Sequence, residues 1–164
     1  MIRVDLVGVR VEQATNQPIV LLREQSPGRR HLPIFIGQPE ATAIVYALQG
    51  IETPRPMTHD LVTNTWSELG IRLQQVNVTE LRDGTFYAEL ELNQHGEVYR
   101  ISSRPSDAIA LAVRQGEPVP IFADEGVLEE AGVLLDSEDG EDEEGQIEQF
   151  REFLDQVRPE DFAT

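Results

Sequence analysis

The sequence contains no cysteine, and this absence excludes several classes of site. Without thiols the chain has no disulfide framework, no thiolate metal centre and no cysteine nucleophile. No segment approaches the roughly 18 to 20 consecutive apolar residues that span a bilayer. The first residues, Met1 to Asp5, carry charges at positions 3 and 5 in place of the apolar run of an export signal. We therefore expect a cytoplasmic protein without a membrane partner.

Lysine is also absent, so all 13 basic residues are arginines. Every fixed cation is then a planar guanidinium, which can bind a phosphate or a carboxylate through two parallel hydrogen bonds. A biased codon composition would explain the same absence without any functional role.

The net charge of −17 opposes nucleic-acid binding, because such binding depends largely on cations that neutralise phosphates. The acidic excess is concentrated at the end of the chain, where residues 124–164 hold 16 acidic residues against two arginines. Residues 1–123 hold 14 acidic residues against 11 arginines, a net charge of −3. The balance of charge therefore does not exclude a nucleic-acid partner for this larger part.

The chain length and the residue pattern predict one domain followed by an acidic appendix. We place the domain at residues 1–135 of the 164, because domains of about 100 to 150 residues are common. Residues 136–145 contain no apolar side chain, and such a segment cannot offset the entropy cost of ordering, so we predict a flexible linker. In residues 146–164, apolar side chains recur at helical spacing, which predicts a short amphipathic helix.

The pattern of apolar residues predicts an α+β fold, because strands cluster in runs instead of alternating strictly with helices. We expect a mixed or antiparallel sheet of about six to seven strands with three to four helices. The strands are expected at residues 2–12, 19–23, 31–36, 71–81, 85–92, 98–102 and 119–123. The helices are expected between Pro39 and Gly50, from a Thr58 cap to Gly70, at 106–114 after Pro105, and at 125–131. Gly8 suggests a bulge in the first strand, and Asp83-Gly84 predicts a hairpin turn.

Two segments place polar side chains where helices begin: residues 55–60 and residues 103–107. A helix N-terminus presents unpaired N–H groups and the positive end of the helix dipole. An arginine beside it, such as Arg55 or Arg104, completes a site for a phosphate or a carboxylate. The sequence has no phosphate-binding glycine loop, no paired histidines on a helix face and no nucleophile elbow.

Three separated motifs stand out: Leu32-Pro33-Ile34-Phe35-Ile36-Gly37 with Glu40-Ala41, Arg55-Pro56 with Thr58-His59-Asp60-Leu61, and Arg104-Pro105-Ser106-Asp107-Ala108-Ile109-Ala110-Leu111-Ala112. In this order they resemble the bifunctional nuclease domain family, and the resemblance covers roughly residues 1–135. The acidic linker and the closing segment are similar to those of actinobacterial members. Many members have aspartate near position 102, where this chain has Ser102, a difference that weakens the case for a catalytic metal.

The resemblance implies a nuclease that hydrolyses phosphodiester bonds of RNA and DNA. It implies the following roles: Glu40, His59, Asp60 and Asp107 in catalysis, Arg55, Arg104 and Ser106 in phosphate binding, and Asp60 and Asp107 as ligands of a divalent cation, Mg or Mn. In this scheme the carboxylates hold the cation or orient water, and His59 acts as acid or base near neutral pH.

Each of these residues also has an ordinary structural explanation. Asp60 and Asp107 lie in first helical turns, where a carboxylate satisfies free N–H groups and offsets the dipole. Glu40 fits the same role, the arginines can simply pair with these acids, and His59 can be a hydrogen-bonded structural histidine. The alternative function is therefore a non-enzymatic, oligomeric anion-binding or regulatory module. A sheet edge and the terminal helix favour a homo-oligomer, with a dimer as the expected form.

Overall fold

Seven strands form one mixed sheet in the order β3-β2-β1-β7-β4-β5-β6 in the computed structural model, which describes residues 1–135. The strands are β1 (Ile2–Val11), β2 (Pro18–Glu24), β3 (His31–Phe35), β4 (Ile71–Arg82), β5 (Thr85–Gln94), β6 (Glu97–Ser103) and β7 (Ile121–Ala123). The helices are α1 (Gln38–Gln49), α2 (Thr58–Leu69), α3 (Pro105–Ala112) and α4 (Glu125–Ala131). The predicted α+β class is confirmed. The linker predicted at 136–145 and the helix predicted at 146–164 lie outside the described residues.

The sheet is mixed because β7 pairs in parallel with β4, while the other neighbouring strands pair antiparallel. The predicted bulge is present, since the register of β1 against β2 shifts between Leu6 and Gly8. Asp83 and Gly84 both have positive φ, 51° and 74°, as the predicted two-residue hairpin turn between β4 and β5 requires. The bulge shifts the register of β1 against β2, and the turn starts the pairing of β4 with β5 at Arg82 and Thr85.

The four helices pack against the sheet and form the core with it. Helix α1 contacts β1 and β2, α2 contacts β4, α3 contacts β4 and β5, and α4 contacts β3 and β4. Fully buried side chains at the centre include Leu22 of β2, Val76 of β4, Ile44 of α1 and Ile109 of α3. Helix α3 also packs on α1 and α2.

Two predicted helix boundaries were wrong. Thr58 is the first residue of α2 and Met57 the N-cap, because the Asp60 carboxylate accepts a hydrogen bond from the Met57 N–H at 2.9 Å. Helix α3 ends at Ala112, and the Arg114 N–H donates to the Leu111 carbonyl instead of continuing the α-helical pattern. None of the helices within residues 1–135 is long and apolar enough to cross a membrane. The cytoplasmic location stays a prediction.

Candidate functional site

Four charged or titratable side chains meet where α1, α2 and α3 begin. Glu40 lies in the first turn of α1, His59 in that of α2 and Asp107 in that of α3, and Arg104 is the N-cap of α3. Arg104 Nη1 lies 3.0 Å from Glu40 Oε1, and Arg104 Nε lies 2.8 Å from Asp107 Oδ2. His59 Nε2 lies 2.9 Å from Asp107 Oδ1. We call these four residues the charged cluster.

Local sequence features place each member of the charged cluster. Pro39 and Pro105 lie in the first turns of α1 and α3, where the missing N–H of proline costs no hydrogen bond. Gly37 is the N-cap of α1, and a Cβ at this position would overlap Glu40 Oε2. The glycine therefore lets the Glu40 carboxylate fold back over the start of its own helix. Three positive helix ends converge here, an arrangement that attracts anions.

The electrostatics of the charged cluster keep the Asp107 carboxylate and the Arg104 guanidinium ionised. Burial raises the pKa of Asp107, but hydrogen bonds from Arg104 and from His59 outweigh it, and the net result is a lowered pKa. The pKa of Arg104 is raised, first by its hydrogen bond to Asp107 and then by the charge of that carboxylate. Because ionised Asp107 can only accept, His59 Nε2 is the donor in their hydrogen bond.

A cleft of about 370 Å³ opens beside Arg104. Its walls include the N-cap residues Gly37 and Arg104, together with Ser106, which is 5% exposed. Phe35 also lines the cleft and is 52% exposed. The arginine side chain is 64% exposed, so the cationic end of the charged cluster is open to a ligand in this cleft.

Asp60 does not join the charged cluster. Its Oδ1 accepts a hydrogen bond from Arg114 Nε at 2.9 Å, and its Oδ2 accepts the one from the Met57 N–H. The Arg114 side chain is 8% exposed, and its Nη1 also donates to the carbonyls of Ala43 in α1 and Ala110 in α3, at 2.7 and 2.9 Å. This pair therefore ties three helices together. Sequence reasoning missed the role of Arg114 in linking the helices. Its position directly after a buried apolar helix was the one signal that could have indicated this role.

Arg55, predicted to bind phosphate, is exposed in the turn before α2. The Thr53 hydroxyl donates to its backbone carbonyl at 2.6 Å. Within residues 1–135 its guanidinium takes part in no ion pair. Its role in phosphate binding stays a prediction.

The arrangement does not fit a divalent cation held by Asp60 and Asp107. In the described part of the chain, no group of three or more histidine, aspartate or glutamate side chains could hold a metal ion. Both Asp60 oxygens are engaged as described above, and the Arg104 guanidinium bridges the carboxylates of Glu40 and Asp107. A divalent cation would need carboxylate oxygens of Asp60 and Asp107 that are not already hydrogen-bonded or ion-paired.

The family model described as bifunctional nuclease domain matches residues 20–136. An uncharacterized protein of Mycobacterium tuberculosis (strain ATCC 25618 / H37Rv) is 47% identical over 166 residues, which cover 98% of both chains. Bifunctional nuclease 2 of Arabidopsis thaliana is 30% identical over 111 residues, 66% of this chain and 33% of the plant protein. Bifunctional nuclease 2 of Oryza sativa subsp. japonica is 26% identical over 117 residues, 70% of this chain and 36% of the plant protein. The similarity to these two plant proteins is therefore limited to about a third of their length.

Proposed function

This chain belongs to the bifunctional nuclease domain family, and we propose that it is a nuclease that hydrolyses phosphodiester bonds of RNA and DNA. One observation carries the proposal: the charged cluster of Glu40, His59, Arg104 and Asp107 lies at three converging helix N-termini, beside an open cleft. Phosphodiester hydrolysis needs a group that stabilises the phosphoryl oxygens, a positioned water and a proton donor for the leaving oxygen. The charged cluster contains a side chain of the right chemistry for each of these.

Arg104 is the residue we assign to the phosphate. Its exposed guanidinium already binds two carboxylates at 2.8 and 3.0 Å, and a phosphate offers oxygens of the same charge and spacing. Pro105 and Ser106, the first two residues of α3, line the same cleft. A phosphate that binds Arg104 would compete with Glu40, because the Glu40 contact is the longer of the two ion pairs.

His59 and Asp107 form the proton-transfer pair. The Asp107 carboxylate fixes the ring of His59 through Nε2 at 2.9 Å, and it would stabilise the imidazolium that forms when the ring takes up a proton. Histidine is suited to this role because its ordinary pKa lies near neutral pH. Glu40, once released from Arg104 by the phosphate, would orient the attacking water.

The cleft favours a single-stranded substrate. Phe35 presents an exposed aromatic side chain at its wall, and an aromatic ring can stack on any base without regard to sequence. A flexible single strand can place a phosphate on Arg104 and a base on Phe35 at the same time. This reasoning supports activity on both RNA and DNA, with nucleic acid as the binding partner.

A cleavage assay on the full chain tests the proposal. Labelled single-stranded RNA and DNA are incubated with purified protein in Mg²⁺, in Mn²⁺ and in excess chelator, and products are resolved on a gel. Cleavage in any of these conditions supports the nuclease, and the chelator arm tests the predicted Mg or Mn. No cleavage of either polymer in all three would contradict the proposal.

The alternative, an anion-binding or regulatory module without turnover, is favoured by one observation. Every carboxylate of the charged cluster is already bound by a cation or a donor, so none is free to act as a base before a ligand arrives. Thermal unfolding with and without oligonucleotide separates the two functions. A rise in the midpoint without product formation would identify a binding module.

The acidic end of the chain is expected to weaken nucleic-acid binding. Residues 124–164 carry a net charge of −14, which repels phosphate and competes with it for arginine over about 10 Å at 0.1 M salt. Deleting residues 136–164 should raise the affinity for single-stranded DNA, measured by fluorescence anisotropy, and the gain should shrink as salt rises. An unchanged affinity at low salt would retire this prediction.

A further inference from the structure

Strand β6 is an edge of the sheet that nothing within residues 1–135 covers. It is the last strand in the sheet order, and six of its seven residues are exposed. Three of the exposed residues are large and apolar: Val98 is 52% exposed, Tyr99 43% and Ile101 48%. Tyr99 and Ile101 lie opposite Leu92 and Leu90 of β5, which are buried in the core. The face of the sheet that carries the core therefore continues, uncovered, across β6.

The other edge of the same sheet is protected, in contrast to β6. Strand β3 contains Pro33, which has no N–H to offer. The N–H and the carbonyl of His31 are both bonded to Val133, at 2.7 and 2.8 Å. Proteins usually protect an exposed edge by such means, because an edge with free N–H and carbonyl groups pairs readily with another strand. Strand β6 has no proline and no covering segment among the described residues.

The backbone of β6 is arranged to pair with a copy of itself. His95 and Gly96 form a two-residue turn with φ of 51° and 90°, so the flanking residues Gln94 and Glu97 form a hydrogen-bonded pair. Alternate residues of β6 therefore bond to β5, and the residues between them direct their N–H and carbonyl groups to the open edge. Those residues are Val98, Arg100 and Ser102.

We propose that β6 pairs antiparallel with β6 of a second copy of this chain, about a two-fold axis at Arg100. In this register Arg100 bonds to its own counterpart, and Val98 bonds to Ser102 of the second copy. On the core-bearing face, Tyr99 then lies opposite Ile101 of the second copy, an aromatic and β-branched pair of the kind that stabilises sheets. This two-fold pairing covers both Tyr99 and Ile101, the two apolar side chains that β6 leaves exposed on this face.

The charges at the centre of this interface are compatible with it. Two Arg100 side chains facing each other would repel, but each is already close to two carboxylates of β5. Its Nε lies 3.5 Å from Glu91 Oε2 and 3.7 Å from Glu89 Oε1. The same register places Gly96 of the second copy opposite Arg104, so the turn between β5 and β6 of one copy lies beside the charged cluster of the other.

A single-cysteine crosslink tests the register, since the chain has no cysteine of its own. In a hydrogen-bonded antiparallel pair the Cα atoms are about 5.5 Å apart, within the range of roughly 4.4 to 6.8 Å that a disulfide spans. Arg100→Cys in the full chain should therefore form a covalent dimer under mild oxidation. The matched control is Val98→Cys, whose two copies would lie about 13 Å apart along the strands and should remain uncrosslinked.

The oligomeric state of a second pair of variants tests the apolar contact. By sedimentation velocity the full chain should be a dimer, and Ile101→Lys should weaken dimerisation by about 100-fold, because each dimer contains the change twice. Leu134→Lys, which alters a residue that is 75% exposed beyond the opposite edge, should leave the dimer unchanged. A monomeric wild-type chain, a dimer that withstands Ile101→Lys, or an Arg100→Cys variant that crosslinks no faster than Val98→Cys would each overturn the proposal.

Discussion

Replacing Asp107 with asparagine is expected to lower the rate of RNA and DNA cleavage by about 10²- to 10⁴-fold. The change removes the negative charge that holds Arg104 at 2.8 Å and fixes His59 at 2.9 Å. An amide of the same shape cannot stabilise an imidazolium, and it has one acceptor oxygen for two donors, so its NH2 group must face either His59 or Arg104. Initial rates of cleavage of a fluorescent single-stranded oligonucleotide, measured at substrate concentrations below and above KM, check the prediction. The loss should appear mainly in kcat.

Two comparison variants make this test specific. Asp5→Asn changes a carboxylate on β1 that accepts from Gln25 at 2.7 Å, away from the charged cluster, and should leave the rate unchanged. Asp60→Asn breaks the pair with Arg114, so it should lower the thermal midpoint while the rate per folded molecule stays close to wild type. Cleavage that persists unchanged in Asp107→Asn would mean that the site is misassigned or that the activity is a contaminant.

The elements of this fold could be predicted from sequence because their signals are local. An Asp-Gly pair favours the positive φ of a two-residue hairpin turn, which Asp83 and Gly84 adopt here. The glycine at position 8 breaks a period of two inside one strand. Both signals involve only neighbouring residues, and both predictions were confirmed. The boundary at Thr58 was wrong because the Leu61 N–H donates to the Met57 carbonyl at 2.8 Å, which makes Met57 the N-cap, and the Asp60 carboxylate accepts from the Met57 N–H.

The partners within the site depend on packing, which the sequence pattern does not report. Residues at the start of each helix were identified as candidates, but the contact between Glu40 and Arg104 joins α1 to α3 across 64 positions of the chain. A first-turn acid looks the same in sequence whether it bonds to an exposed arginine and a histidine, as Asp107 does, or to a buried arginine, as Asp60 does. Periodicity predicts which face of a helix is buried. Which charged side chain a first-turn acid contacts depends on the tertiary arrangement.

Glu24 is the clearest example of a residue that the pattern could not identify. It lies at the end of β2 and is only 4% exposed. Arg30 binds both of its oxygens, through Nε at 2.8 Å and Nη2 at 2.9 Å, and Arg30 N and the Ser26 hydroxyl also donate to the carboxylate. Arg30 reaches on to Glu125 at the start of α4, at 2.9 Å. Glu24 thus binds the loop that follows β2, and Arg30 of that loop links it to α4.

Glu24→Gln should therefore lower the free energy of unfolding by about 3 kcal/mol at pH 7, because it leaves a partly buried guanidinium with only the exposed carboxylate of Glu125 as counter-charge. Urea unfolding monitored by circular dichroism measures the loss. Glu80→Gln is the matched control: its pair with Arg82 is exposed and 3.8 Å long, and such pairs contribute about 0 to 1 kcal/mol. Equal losses in the two variants would contradict the assignment of Glu24 as a central structural residue.

The pH dependence of the unfolding free energy of Glu24→Gln shows whether the loss comes from the missing charge or from altered packing. Hydrogen bonds from Arg30 and then from Ser26 lower the pKa of Glu24 from 4.5 to about 2. A carboxyl whose pKa is lower in the folded chain binds its proton more readily when unfolded, so its stabilisation is complete above pH 4.5 and declines as the pH falls towards 2. The difference in unfolding free energy between wild type and Glu24→Gln should therefore be constant from pH 7 to about 5 and shrink at lower pH. A difference that stays constant down to pH 3 would assign the loss to packing instead of charge.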